Sequence, residues 1–218
     1  MDVLEEISLI ISRTMSVYKL FNMEWLKYLQ ANKFYDFIDE NGKMKISLKQ
    51  HCVSEIKENP ILFNLIEEYR NFAVDNPLYL SILGVRYRIK LANSVQSKIE
   101  TYIKKKSENG KVPIIKCLND ICGIRIEIDD NYTFEQIENF IKSKFGNKLK
   151  VLNVKRGEYT AIHVYFREGN YFFPMEMQIW YKKDHDKNDI SHHKFKQSYI
   201  SWENEIKNNS IVKKEETW

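Results

Sequence analysis

Apolar residues recur every three or four positions through residues 3–38, at Leu4, Ile7 and Ile11 and again at Phe21, Trp25 and Leu29. This spacing predicts a helical N-terminal stretch, ended by the turn signal Asn41-Gly42. A weaker helical pattern runs over 46–58 and is closed by Pro60. Ile61, Leu62, Leu65, Ile66, Tyr69 and Phe72 predict a further amphipathic helix, stopped at Asn76-Pro77. Residues 90–106 also suit a helix, with Asn109-Gly110 after it. The period then changes from about 3.6 to 2. Ile124, Ile126 and Ile128 alternate with Arg125 and Glu127, the mark of a half-buried strand. Thr133-x-x-Gln136 is a capping-box signature for a helix carrying Ile137, Phe140 and Ile141. Residues 149–155, 159–166 and 171–180 predict three more strands, with Gly169-Asn170 as a hairpin turn between the last two. Residues 189–208 suit a helix and the tail is polar.

The order is therefore helices first, then strands mixed with helices. It predicts an α+β fold with a mixed sheet of about five strands flanked by helices. The expected organisation is an N-terminal helical region over 1–80, a catalytic domain over 81–200 and a polar tail over 201–218.

Composition narrows the class. The 218 residues are 43% hydrophobic and 29% charged, an ordinary globular balance. With 7 Gly and 4 Pro, the chain is not a loop-rich or collagen-like scaffold. No apolar run reaches the roughly 18 residues of a membrane span. The first residues are acidic, unlike a secretory leader. Cys52, Cys117 and Cys122 are odd in number and lack CxxC spacing, as expected of reduced thiols. A cytoplasmic protein is the expectation.

Charge points to phosphates. The net charge is +4, but residues 86–118 alone hold nine basic and two acidic side chains. Such a local basic field attracts nucleotides or a nucleic-acid backbone. The Lys104-Lys105-Lys106 run by itself suits a solvated face.

Four patterns carry candidate chemistry. In Arg88-x-Lys90-x-x-x-Ser94-x-x-x-Lys98, a helix would align Lys90, Ser94 and Lys98 along one face, as a polyphosphate requires. In Asp120-x-x-Gly123-x-Arg125, the carboxylate at a strand edge could hold Mg²⁺ and the arginine could stack on a purine. Glu176 and Gln178 share one face of an apolar strand, where an unused carboxylate would be costly. Tyr159 and His163 share a face of another strand, as a stacking platform and a polar contact or as a structural pair. No phosphate-binding glycine loop, Cys/His metal cluster or GxSxG elbow is present.

In this order the four patterns resemble the synthetase domain of the RelA/SpoT family. Its R-x-K-x-x-x-S-x-x-x-K run matches Arg88, Lys90, Ser94 and Lys98, and its D-x-x-G-x-R strand matches Asp120, Gly123 and Arg125. Its Y-x-S-x-H strand matches Tyr159 and His163, and its E-x-Q-I-R strand matches Glu176, Gln178 and Ile179. The resemblance implies a magnesium-dependent pyrophosphokinase that moves the β,γ-pyrophosphate of ATP onto a ribose 3′-hydroxyl. It implies that Arg88 and Arg125 sandwich the adenine, that Lys90, Ser94 and Lys98 hold the ATP phosphates, and that Asp120 binds Mg²⁺. Glu176 would help position the metal or act as base, Tyr159 would stack on the acceptor base, and His163 and Gln178 would complete the acceptor side.

Three positions depart from the family pattern, all on the acceptor side: Glu158 for Gly, Ala161 for Ser and Trp180 for Arg. The chain is short, as in a small alarmone synthetase, with a long segment before Arg88 and a short one after Glu176. These proportions and the altered acceptor strand resemble the toxin branch of the family, whose members pair with an antitoxin protein. The expected acceptor is the 3′-CCA end of tRNA. The alternatives are a guanosine or adenosine nucleotide, or an inactive domain that binds RNA or a partner.

Overall fold

A computed structural model describes residues 2–77, 85–104 and 109–191. Helix α1 (Val3–Ala31) turns Ile7, Ile11, Tyr18, Phe21, Trp25 and Leu29 inward, which is the predicted stripe. It ends seven residues earlier than the pattern suggested, and Lys33 follows with a positive φ of 59°. The expected helix over 46–58 is instead a set of turns and one short 3₁₀ segment, Val53–Lys57. Its backbone is used for a different contact: the Val53 and Ser54 N–H groups donate to the Val112 and Gly110 carbonyls. Helix α2 (Pro60–Asp75) starts where the Asn59 side chain accepts from the Ile61 N–H, with Pro60 in the first turn.

Strand β1 (Arg86–Ile89) was not anticipated from the sequence. After it come helix α3 (Ala92–Lys104), a helical turn at Ile114–Cys117, and strand β2 (Cys122–Ile128). Helix α4 (Phe134–Phe145) carries the expected capping box, with Thr133 and Gln136 bonded reciprocally. Strands β3 (Lys150–Arg156), β4 (Tyr159–Phe166) and β5 (Met175–Tyr181) complete the sheet. Helix α5 spans 185–191. Strand β5 begins four residues later than expected, and Gly169-Asn170 lies in a longer connection rather than a tight two-residue hairpin. Most of the expected 189–208 helix, the polar tail, Lys105 and Lys106 lie outside the described residues.

The five strands stand in the order β1-β2-β5-β4-β3. β2 and β5 run parallel and the other neighbours antiparallel, so the sheet is mixed as predicted. β5 is buried along its whole length. The helices α1 and α2 pack an aromatic cluster beside it: Tyr69 lies 5.5 Å from Trp25 and 4.6 Å from Phe173, ring centre to ring centre. The Tyr18 hydroxyl donates to the Phe173 carbonyl at 2.9 Å. The chain entering β5 is thereby fixed by the N-terminal helix. Among the described residues no helix is long and apolar enough to cross a membrane.

Candidate active site

Strand register explains how residues distant in sequence meet. Arg88 of β1 pairs with Gly123 of β2, Gly123 with Glu176 of β5, and Glu176 with Tyr165 of β4. The next row holds Arg86, Arg125, Gln178 and His163. Paired residues share a face of the sheet, so both rows present side chains on one side. Gly123 keeps the centre open. A Cβ there would lie 3.4 Å from the Glu176 carbonyl and 3.7 Å from Arg88 Nε. The arginine side chain therefore lies across the glycine towards Glu176.

Asp120 lies two residues before the start of β2 and is 8% exposed. Lys90 is not on a helix, contrary to the expected stripe. It extends β1, and its N–H donates to the Ile121 carbonyl at 2.8 Å. This places its ammonium 2.6 Å from Asp120 Oδ2. Lys98, one turn beyond Ser94 on α3, reaches the same carboxylate from the other side, at 2.9 Å from Oδ1. Lys98 also donates to Asn119 Oδ1 at 3.2 Å. Ser94 itself is half-buried in the first turns of α3. Arg88 spans the two carboxylates, 3.9 Å from Asp120 and 3.8 Å from Glu176.

Burial alone would raise the Asp120 pKa. The ammoniums of Lys98 and Lys90 and the Arg88 guanidinium outweigh it and hold the carboxyl well below the usual carboxylate range. The same burial lowers the Lys90 pKa against the pull of Asp120, while at Lys98 the carboxylate outweighs burial and the pKa is raised.

Glu176 is 4% exposed. It accepts from Gln178 Nε2 at 2.7 Å and lies 2.9 Å from His163 Nδ1. Burial raises its pKa, but the His163 hydrogen bond and Arg88 bring it below the ordinary value. His163 Nε2 meets the Tyr159 hydroxyl at 2.8 Å, and His163 Nδ1 lies 3.3 Å from the Tyr165 hydroxyl. Tyr159 is 7% exposed, and burial pushes its hydroxyl up to about 12.

Arg125 stands apart from this pair. Its guanidinium carbon lies 3.4 Å above the centre of the Trp180 ring, so one face of the guanidinium is already stacked. Burial, together with Arg86 and Arg88, lowers its pKa to about 10, and it stays charged at neutral pH. Tyr159, Ala161 and Trp180 form one apolar group. Two of the three departures from the family pattern are thus neighbours in space.

The structure brings together Arg88, Lys90, Lys98, Asp120, Glu176, Gln178, His163 and Tyr159. Sequence reasoning missed Asn119, Tyr165 and the role of Trp180 under Arg125. The period-two placement of His163 and Tyr165 on β4 was the signal for Tyr165. The two carboxylates supply hard oxygen donors. Among the described residues no group of three His, Cys, Asp or Glu side chains could hold a metal unaided. This donor set fits Mg²⁺, which takes its other ligands from substrate phosphates and water.

A mixed sheet that holds two buried, ionised carboxylates under converging Lys and Arg side chains defines an α+β domain suited to polyanionic substrates. Residues 87–199 match the model of the region found in RelA / SpoT proteins, more than half of the chain, and the chain belongs to that family. Among solved structures it is similar to the small alarmone synthetase 1 from Bacillus subtilis, at 21% identity and a TM-score of 0.35. That similarity covers 53% of this chain and 62% of the other, so the chain spans less than two thirds of that protein. No curated protein matches.

Proposed function

We propose that the chain is an ATP pyrophosphokinase that transfers the β,γ-pyrophosphate of ATP to a ribose 3′-hydroxyl. The observation that carries this is the convergence of Lys90 and Lys98 on Asp120, with Arg88 bridging to Glu176. Transfer of a charged phosphoryl group depends on positioning and charge neutralisation, and this cluster is suited to both. Asp120 and Glu176 would hold a magnesium ion, which would supply further neutralisation of charge on the transferred group. Lys90, Ser94 and Lys98 bind the ATP phosphates, and Arg88 and Arg125 hold the adenine. Glu176 accepts the proton of the 3′-hydroxyl as that oxygen bonds to the β-phosphorus. The bond from the β-phosphorus to the oxygen bridging it to the α-phosphorus breaks, and AMP leaves with that oxygen and its electron pair. His163 and Gln178 hold the Glu176 carboxylate in place.

The favoured acceptor is the 3′-CCA end of tRNA. The terminal ribose carries the amino acid, so a pyrophosphate on it blocks aminoacylation and makes the protein a translation-inhibiting toxin, controlled by an antitoxin partner. The acceptor-side departures at Ala161 and Trp180 support an acceptor other than that of an ordinary alarmone synthetase. The test is ATP labelled on its γ-phosphate, incubated with Mg²⁺ and, separately, GDP, GTP, ATP alone or bulk tRNA. Label in tRNA is the expected result. Label in a guanosine or adenosine nucleotide would instead make this a small alarmone synthetase. Label in none would contradict transferase activity.

A further inference from the structure

Strand β3 is the edge of the sheet next to β4. Its Lys150, Leu152 and Arg156 pair with Tyr165, His163 and Tyr159. They therefore lie on the same face as Glu176, and Lys150 stands in its row, two strands or about 10 Å away. Lys150 and Arg156 are exposed and form no ion pair with a carboxylate among the described residues. Leu152 between them is 37% exposed. The two cations are six residues apart on an extended strand, about 20 Å. That span exceeds a single nucleotide and suits several linked ones.

We infer that this face of β3 is a shelf for the single-stranded 3′ end of an RNA acceptor. Lys150 and Arg156 take backbone phosphates and Leu152 lies against a base. A positively charged surface that tracks the phosphate backbone holds single-stranded RNA without reading its sequence, and Leu152 adds apolar contact to a base between the two cations. The terminal ribose then sits by Glu176 while the preceding nucleotides run along β3 towards Arg156. The inference rests on the pyrophosphokinase reading for the direction of the RNA. The shelf itself is tested by binding alone.

The experiment uses the full chain, its Lys150→Glu/Arg156→Glu double variant and a Lys150→Arg control. Fluorescence anisotropy with a fluorescein-labelled tRNA minihelix ending in single-stranded CCA gives affinity over a range of salt. Transfer of label from ATP to the same RNA gives KM values. The double variant should bind RNA at least about tenfold more weakly, with a log–log salt slope shallower by about 1.4, for two phosphates. Its KM for RNA should rise and its KM for ATP should not, while Lys150→Arg should behave as wild type. RNA binding and salt slope unchanged in the double variant would overturn the shelf, even with transfer to RNA intact. Shelf-dependent binding without transfer to RNA would uphold the shelf and overturn the RNA-acceptor reading.

Discussion

At Asp120 a single carboxylate meets two ammoniums and a guanidinium while almost shielded from water. Removing the negative charge strands three cations in a poorly solvated place. The cost of breaking such a buried group is about 3–5 kcal/mol. The sign of the pH dependence follows from the lowered pKa. The folded state favours the ionised form, so its contribution is present above the ordinary value of 3.8 and is lost as pH falls below it. Asp120→Asn should therefore be less stable at neutral pH and should show a flatter rise of unfolding free energy from about pH 3 to 5. Urea unfolding across that range measures it, and an unchanged slope would contradict the role given to Asp120. At this scale the sequence picked out Arg88, Lys90, Lys98, Asp120 and Glu176 as candidates through four short patterns taken in order, and the fold brings these side chains together, with Lys90 on the strand side rather than on the helix. Tyr165 and Asn119 were not picked out, because their contacts depend on how β4 lies on β5 and how α3 approaches Asp120.

At the scale of elements, long periodic segments were legible and short ones were not. The α1 stripe and the alternation in β2 run long enough for one period to dominate. β1 has four residues, and the Lys90, Ser94 and Lys98 spacing next to it imitates a helix that really starts at Ala92. Residues 46–58 hold apolar side chains at helical intervals, but the Val53 and Ser54 N–H groups bond to the chain at Val112 and Gly110 and other N–H groups of the segment close local turns. Tertiary pairing overrides local pattern in both places. The join between α5 and β4 is testable. Asn188 is fully buried, and its amide both accepts from the Thr160 N–H and donates to the Thr160 carbonyl, each at 2.9 Å. Asn188→Ala leaves both backbone groups without that partner and should cost about 1–3 kcal/mol. A chemical denaturation curve within about 0.5 kcal/mol of wild type would show that the tie carries no stability.

At the scale of the whole molecule, the sheet order is what makes a site. Arg88 and Glu176 are 88 positions apart in sequence, yet only β2 separates their strands, and Gly123 in that gap leaves room for the arginine. The aromatic packing of α1 and α2 against Phe173 holds the start of β5, and so the carboxylate, in register. Strand alternation in the sequence made a mixed sheet predictable. The order of its strands was not, because pairing between distant segments leaves no local period. The account stands or falls on Glu176, where fold and chemistry meet. The most direct measurement is ATP binding and label transfer by Glu176→Gln in the same preparation, with thermal unfolding as a check on the fold. Transfer should fall about 10²- to 10⁴-fold, as expected on losing a positioned base. ATP affinity should stay within a few-fold of wild type, and the fold should be retained. Transfer close to the wild-type rate from a folded variant would contradict the assignment of this carboxylate and of the site built around it.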